Sequence, residues 1–380
     1  MNKICFVIDS LRIGGAQKVT SDLAKLMSKH GFEVDFIIYN ELYGIELSPD
    51  INLRKIFIPG LSRRGLLGFV DKVLTKIFGL PYRYMLSFLY SSILERKVDL
   101  SVYDKVFLCS DSGFVPFNLI KKNTIAIAHS LKSKQYLNSK FEFLNKLNCL
   151  IYKKILGQHE IVTVSKSIKK DLVNSFNLDS GRITVIYNYI DFDSINSKSL
   201  RDDLKLPYSY ICHVGRHSPE KNISLLIDAF SLLEKDDLKL VLVGDGVESK
   251  KLKCKVSAMN LESRVDFLGF QKNPYPIIKN AKCLVLSSKR EGLPTVLLES
   301  LCLNTKVVST NCHSGPSEIL TGSLSKYLVK EDDANALSKS IQQVLEDDHY
   351  DFHSNTDAFK DVSIVKKYKA LISGVHEIVS

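Results

Sequence analysis

Short apolar runs alternate with segments of helical period along almost the whole chain, and this restricts the fold more than any other feature. Ile4 to Ile8 has strand length and turn residues beside it. Gly14-Gly15 follow, then Ala16, Val19, Leu23 and Met27 recur at three- and four-residue steps until Gly31 stops the pattern. Val34 to Ile38, Val106 to Cys109, Thr124 to Ala128, Ile161 to Val164 and Ile183 to Tyr187 repeat the strand form. After a polar stretch from Asp193 to Pro207 the series restarts with Tyr210 to Val214, Leu238 to Val243, Val265 to Leu268, Cys283 to Leu286 and Val307 to Ser309. Strands that are apolar throughout belong in parallel sheets covered on both faces. The spacing therefore predicts an α/β chain of two doubly wound, Rossmann-like domains. They are expected over 1–200 and 201–362, with a C-terminal helix over 363–380 packing back toward the first. The length of 380 residues agrees, at roughly 150 per domain.

Apolar residues make up 45% of the chain and charged ones 25%, which excludes global disorder. Lys and Arg outnumber Asp and Glu by 52 to 42, so the partner is expected to be anionic: nucleic acid, nucleotide or acidic membrane. None of the eight cysteines (5, 109, 149, 212, 254, 283, 302, 312) forms a C-x-x-C pair, and they read as small buried hydrophobes in a reducing compartment. The first apolar run ends at Asp9 without a small-residue cleavage site, so it does not read as a signal peptide. No apolar run reaches membrane-spanning length. The expected location is cytoplasmic, peripheral on the inner face of the cytoplasmic membrane.

Residues 61–97 carry that membrane expectation. Arg63, Arg64, Lys72, Lys76, Arg83, Arg96 and Lys97 stand against Asp71 and Glu95 alone. Leu66, Leu67, Val70, Val73, Leu74, Ile77 and Phe78 fall on one helical stripe, with Lys72 and Lys76 away from it. An interfacial helix on an anionic surface has this pattern, and so does an ordinary amphipathic helix covering a sheet. A second basic stretch, 132–154, includes Lys132 and Lys134 and has only Glu142 against six lysines.

Several loops at predicted strand ends have the makings of a site. Gly14-Gly15 between strand and helix suit close backbone approach to an anion, or a plain tight turn. The segment Gly215-Arg216-His217-Ser218-Pro219-Glu220-Lys221 follows a strand and offers two cations to a diphosphate. Gly244-Asp245-Gly246 forms a further turn at a strand's carboxyl end, where open parallel sheets bind ligands. The strongest segment runs through Glu291-Gly292-Leu293-Pro294-Thr295-Val296 to Glu299. A helix should begin near Pro294, with Glu299 in its second turn and a carboxylate on either side of the helix start. No G-x-G-x-x-G is present, which disfavours a dehydrogenase.

This segment resembles the E-x7-E signature of retaining glycosyltransferases of family 4, which have the two-domain GT-B fold. The likeness extends over most of the chain. Gly14-Gly15-Ala16 resembles the family's glycine-rich loop, and Ala128-His129-Ser130 its active-site histidine. Val164-Ser165-Lys166 and Ile186-Tyr187-Asn188-Tyr189-Ile190-Asp191 match two more phrases, and Arg216 and Lys221 fall on the diphosphate-binding pair. Gly269-Phe270-Gln271-Lys272-Asn273-Pro274-Tyr275 and Asn311-Cys312-His313-Ser314-Gly315-Pro316 resemble a narrower bacterial group. Its members extend polyprenyl-diphosphate-linked oligosaccharides with hexoses or N-acetylhexosamines, on the route to O-antigens, capsules or protein glycans. After Glu299 the chain departs from the family pattern, with Ser300 and Asn304-Thr305-Lys306 where a Gly and Pro are common. Asp191-Phe192-Asp193 spells a metal motif of another transferase fold but sits inside a family phrase, so no metal or cofactor is expected.

The resemblance implies retaining transfer from a nucleotide sugar, UDP-linked, to a lipid-linked saccharide. Arg216 and Lys221 would stabilise the leaving diphosphate. Glu291 would hold donor-sugar hydroxyls, Glu299 the ribose, and His129 would touch the sugar from the other domain. Gly14, Gly15, Gly215, Gly244, Asp245, Gly269, Phe270, Gly292, Leu293, Pro294, Thr295 and Val296 would line the donor. Arg63, Arg64, Lys72, Lys76, Arg83, Lys132 and Lys134 would serve the acceptor or the membrane. A sugar-nucleotide epimerase or a phosphorylase on the same fold is the competing enzyme reading. A basic protein binding membrane or nucleic acid is the non-enzymatic one. Nucleic acid is not expected, because the cations gather with glycine loops rather than with aromatics on a sheet face.

Overall fold

The computed structural model describes residues 2–12, 14–40, 44–59, 61, 65–120, 123–200, 205–235, 237–352 and 356–374. The chain divides into two compact units, Met1–Tyr189 with Asp361–Ser380, and Ile190–Lys360.

The first unit begins with β1 (Lys3–Ile8), α1 (Gly15–Lys29), β2 (Glu33–Ile38) and β3 (Asn52–Lys55). It continues through α2 (Gly65–Lys97), β4 (Lys105–Cys109), α3 (Ser110–Phe114), β5 (Thr124–Ala128), α4 (Ser133–Tyr136), α5 (Glu142–Leu156), β6 (Glu160–Thr163), α6 (Lys166–Phe176) and β7 (Ile183–Val185). Its seven strands lie in the order β3-β2-β1-β4-β5-β6-β7, and all six neighbouring pairs are parallel. Phe6 of β1 is in register with Phe36 of β2 and Phe107 of β4, and its ring stacks on Phe107 at 4.9 Å. That aromatic row is the centre of the core.

The second unit runs α7 (Phe192–Ser199), β8 (Ser209–Val214), α8 (Ile223–Ser231), β9 (Leu238–Val243), α9 (Ser249–Ala258), β10 (Val265–Gly269), α10 (Tyr275–Asn280), β11 (Cys283–Leu286), α11 (Thr295–Cys302), β12 (Lys306–Thr310), α12 (Pro316–Ile319), β13 (Leu328–Val329) and α13 (Ala334–Glu346). Its sheet has the order β10-β9-β8-β11-β12-β13, again with parallel pairings. The chain closes with α14 (Asp361–Ser373), which belongs to the first unit and sets Tyr368 edge-on against Phe107 at 5.7 Å.

In both sheets the strand order reverses once, between β1 and β4 and between β8 and β11. Crevices at the carboxyl ends of such strand pairs take ligands in open α/β sheets. The expected boundary near 200 differs from the observed change of unit at 189/190. The first half of the polar stretch, Asp193 to Ser199, lies in α7, whose Asn196 amide reaches Cys302 Sγ of α11. Asp191 caps that helix by accepting from Ser194 N at 3.0 Å, which gives the D-x-D carboxylate a structural task. No cluster of three or more His, Cys, Asp or Glu suited to a metal occurs among the described residues.

The 61–97 segment departs from the single interfacial rod that its periodicity suggests. Gly79 has φ +59° and ψ −132°, outside helical geometry, and divides α2 into arms 65–78 and 80–97. Tyr90 OH donates to Asp71 Oδ1 at 3.1 Å. In a straight helix those residues would stand about 28 Å apart. The arms therefore fold back on each other as a helical hairpin, with Tyr82 also bonded to Asp71. Gly79 supplies the left-handed residue, and Pro81 falls in the first turn of the second arm, where its missing N–H costs nothing. Phe69, Val70, Val73, Ile77 and Phe78 are exposed on one arm, and Met85, Phe88 and Leu89 on the other. Arg63 and Arg64, with the side chains of Leu66 and Leu67, lie outside the described residues. No described helix is long and apolar enough to cross a membrane.

Candidate active site

In the second unit the site grows from loops beside the strand reversal. β8 ends at Val214 and leads into Gly215-Arg216-His217 and a short 3-10 turn, Pro219–Lys221. β11 ends at Leu286 and leads to Glu291 and then α11. Because β8 and β11 are neighbours, residues 70 apart in sequence meet: Lys221 Nζ lies 2.6 Å from Glu291 Oε1. Ser288 Oγ donates to the same carboxylate oxygen at 2.6 Å, and Ser314 Oγ donates to the Glu291 carbonyl. Both ionic side chains are mostly covered, at 21% and 10% exposure, so the pair is tight and weakly screened. Arg216 is exposed and has no ion-pair partner among the described residues.

The loops after β8 and β9 are zipped together. Gly215 N bonds Val243 O, His217 N bonds Asp245 O, and Glu248 N bonds His217 O, each at 3.0 Å. A Cβ on Gly244 (φ +133°) would fall 1.9 Å from Gly215 O, so only glycine fits there. His217 Nδ1 sits 2.9 Å from Ser249 Oγ, which donates to Asp245 Oδ1 at 2.5 Å. Burial lowers the His217 pKa, which disfavours a further cation beside Arg216 and Lys221. Gly269 (φ +65°) closes the next strand, and its carbonyl accepts from Gly244 N at 2.8 Å. Phe270 beside it is exposed.

Helix α11 begins at Thr295 behind Pro294, as the Gly-Leu-Pro phrase predicts, and no side chain caps it. Glu299 stands in its second turn and is buried. The turn Gly292-Leu293-Pro294 is clamped by Gly315 (φ +90°), where a Cβ would meet Pro294 Cδ at 2.6 Å. Gly292 to Val296 thus sit at one helix start, with Glu291 before them and Glu299 after.

In the first unit, Gly14 and Gly15 stand at the start of α1, beyond the carboxyl end of β1. A Cβ on Gly15 would meet nothing within 4 Å, so internal packing does not demand glycine there. His129 follows the last residue of β5. Both of its ring nitrogens are buried without a hydrogen-bond partner, and burial with the Lys132 charge pushes its pKa down to about 3. A buried imidazole with no partner is costly unless a ligand supplies one.

The candidate acceptor and membrane cations separate. Lys72, Lys76 and Lys134 are exposed. Lys132 is not a surface cation: its side chain is 2% exposed and its ammonium lies 2.9 Å from Asp111 Oδ1. Arg83 is half-buried, with its Nε covered and unpartnered. Sequence reasoning missed Asp111, Ser288, Ser314 and Ser249. They are ordinary residue types in loops, and only their spatial partners reveal them.

Comparison with known proteins agrees with this geometry. Residues 13–194 match the model of Glycosyltransferase Family 4, and residues 197–359 that of Glycosyl transferases group 1. A Campylobacter jejuni protein, N-acetylgalactosamine-N,N'-diacetylbacillosaminyl-diphospho-undecaprenol 4-alpha-N-acetylgalactosaminyltransferase, is 30% identical over 92% of this chain and 91% of its own. A second from the same organism, GalNAc-alpha-(1->4)-GalNAc-alpha-(1->3)-diNAcBac-PP-undecaprenol alpha-1,4-N-acetyl-D-galactosaminyltransferase, is 26% identical over 92% and 90%. Anabaena HepE, solved in complex with UDP-glucose, superposes with a TM-score of 0.72 at 18% identity, covering 98% of this chain and 99% of that one. Sucrose-phosphate synthase from Thermosynechococcus elongatus gives 0.74 at 18% identity, over 98% and 100%. With two parallel Rossmann-like sheets, the E-x7-E carboxylates at a helix start and a relative of this identity over nearly its full length, the chain belongs to glycosyltransferase family 4 and has the GT-B fold.

Proposed function

We propose that the protein moves a hexose or N-acetylhexosamine from a UDP-sugar to a lipid-linked saccharide, with retention at the anomeric carbon and without a metal. The observation that carries this reading is the Lys221–Glu291 pair at the sheet's strand reversal, with the unpaired Arg216 on the same loop. Without donor, the two charged side chains neutralise each other. When the diphosphate arrives, Lys221 turns to it alongside Arg216, and Glu291 is released to the sugar hydroxyls. The C1–O bond breaks with its electron pair leaving on the diphosphate, the acceptor hydroxyl oxygen bonds C1 on the same face, and the hydroxyl proton passes to the departing diphosphate oxygen. The two cations supply the positive charge that this leaving group needs. Glu299 holds the ribose, the α11 start and Gly15 offer N–H groups to the donor, and His129 adds a neutral imidazole contact to the sugar. UDP complexes among the structural neighbours support the nucleotide, and the undecaprenol-linked substrates named for the Campylobacter relatives support the acceptor.

The hairpin supports a peripheral membrane location on the side where such acceptors are presented. The hairpin packs beside α5, whose Lys154 Nζ sits 5.7 Å from the Tyr84 ring, and Phe143, Leu147 and Leu150 of α5 are exposed, as is Phe141 just before it. Exposed apolar side chains on two helices, with lysines among them, fit an anionic bilayer better than water.

The test is a transfer assay with labelled UDP- and GDP-sugars and a bacterial polyprenyl-diphosphate-glycan extract, with and without EDTA. Label in the organic phase from one UDP-sugar, in an α-linkage by NMR and insensitive to EDTA, is expected. Free epimerised donor without acceptor would favour the epimerase reading instead. No turnover with any donor would overturn the assignment.

A further inference from the structure

His129 is followed at once by a buried polar cluster that the transfer reaction, as described, does not use. Asp111, on α3 after β4, accepts three bonds: from Lys132 Nζ at 2.9 Å, Tyr136 OH at 3.0 Å and Tyr152 OH at 3.1 Å. Lys132 Nζ also donates to Ser130 Oγ at 3.0 Å and lies 5.8 Å from the Phe114 ring centre. From α6, Asp171 Oδ2 accepts from Lys132 N at 2.7 Å and from Ser133 N at 3.1 Å. Side chains from α3, α4, α5 and α6 thus converge on the few residues that lead out of β5.

Stability alone gives a weak reason for such a cluster. A buried ion pair gains little over well-packed apolar side chains of the same size, because both charges must be stripped of water. What the pair does supply is a fixed backbone and a fixed charge next to a ring that has no partner of its own. We propose that Asp111 and Lys132 are positioning residues for His129: their ion pair locks residues 129–133 and keeps a cation beside the imidazole, so that the ring meets its ligand neutral and in one orientation. The inference rests on reading His129 as a sugar contact. The charged groups that act on the ring are Lys132, which disfavours the imidazolium, and Asp111, which favours it less strongly. Tyr136, Tyr152 and Asp171 complete the shell without facing the ring as charges of their own.

The two charges therefore predict opposite effects when removed singly. The full-length protein, labelled with 15N-histidine, is titrated by NMR between pH 8 and pH 5, with His129→Gln assigning the signal. In the wild type the His129 ring stays neutral throughout. In Lys132→Met burial still opposes the charge, but the lost cation and the uncompensated Asp111 raise the His129 midpoint, so the protonated signal begins to appear toward pH 5. Asp111→Asn leaves the ring neutral but loosens the segment, and kcat falls roughly 10- to 100-fold with little change in KM, the size of a misplaced contact. Lys132→Arg restores the wild-type titration. If Lys132→Met fails to fold, the double variant Asp111→Leu/Lys132→Met removes both charges together. It is expected to fold yet to lose the same 10- to 100-fold in kcat. A folded Lys132→Met protein with an unchanged His129 titration, or a fully active double variant, would overturn the proposal. The titration needs no substrate, so it stands or falls separately from the transfer assay.

Discussion

Lys221 and Glu291 are held 2.6 Å apart although each belongs to a loop with a separate origin, one after β8 and one after β11. A cation that already has a buried carboxylate partner is pre-placed at low reorganisation cost. Lys221→Ala is expected to lower kcat roughly 10²–10³-fold, the usual loss of one contact to a developing anion. Steady-state kinetics with saturating donor checks this, and near-normal turnover would remove Lys221 from the leaving-group role.

The two carboxylates of the signature have different surroundings. Glu291 shares its oxygen with Lys221 and Ser288, whereas Glu299 is buried in the second turn of α11. Glu291→Gln should therefore reduce kcat more than Glu299→Gln, and Glu299→Gln should act mainly on donor KM. The reverse order would exchange their assignments.

Gly15 and Gly315 should respond differently to the same methyl group. Gly315→Ala forces a Cβ to within 2.6 Å of Pro294 at φ +90° and should destabilise the second unit by about 1–3 kcal/mol. Gly15→Ala meets nothing in the protein, so thermal unfolding should be unchanged while UDP affinity falls. Calorimetric melting and nucleotide titration on both variants separate the two. A Gly15→Ala protein with wild-type affinity would mean that no donor approaches that backbone.

Replacing Met85 and Phe88 with serine should release the protein from anionic vesicles more strongly than replacing Lys72 and Lys76 with glutamine. Two large apolar side chains leaving lipid cost more than two screened surface charges. Sedimentation with phosphatidylglycerol vesicles at physiological salt measures both. Retention of the serine variant would show that the apolar hairpin face has another occupant.

Acidification should destabilise the fold well above the range of its carboxylates. Burial holds His129 at about 3, His159 at about 4 and His213 at about 3, each down from 6.5. Between pH 6.5 and about 4 the unfolded chain binds protons that the folded chain refuses. Stability is then full above 6.5 and falls as pH drops through that window, by up to ~1.4 kcal/mol per pH unit for each histidine. His213→Asn, whose amide can replace the Nδ1 bond to Val285 O, should reduce the slope by one proton. Urea unfolding at pH 7, 6 and 5 measures it.

The sheets were legible because their inner strands are apolar on both faces, as in Ile4 to Ile8 and Leu238 to Val243. Two of the four edge strands, β3 and β13, were not, whereas β7 and β10 were. β3 is Asn-Leu-Arg-Lys and mostly exposed, and β13 has two residues, so neither carries a burial signal. The hairpin break was written in Gly79-Leu80-Pro81, but the uninterrupted apolar stripe up to Phe78 outweighed it. Spacing and family phrases singled out Arg216, Lys221, Glu291 and Glu299, and the structure brings Lys221 and Glu291 together. Lys132 was misplaced at the surface because a lysine among lysines reads as solvated, and nothing local announces that Asp111, 21 positions earlier, will bury it.

The glycines of the second unit divide the proposed donor site into a frame and a variable part. Gly244 and Gly315 sit where any larger residue would strike backbone or a proline ring, so these turns can hardly be remodelled. Gly269 and the exposed Phe270 face open space, and a Cβ at Gly269 touches nothing. A descendant of this sequence that adopts a new sugar would most easily diverge at 269 and 270, leaving the turns at 244 and 315 as they are.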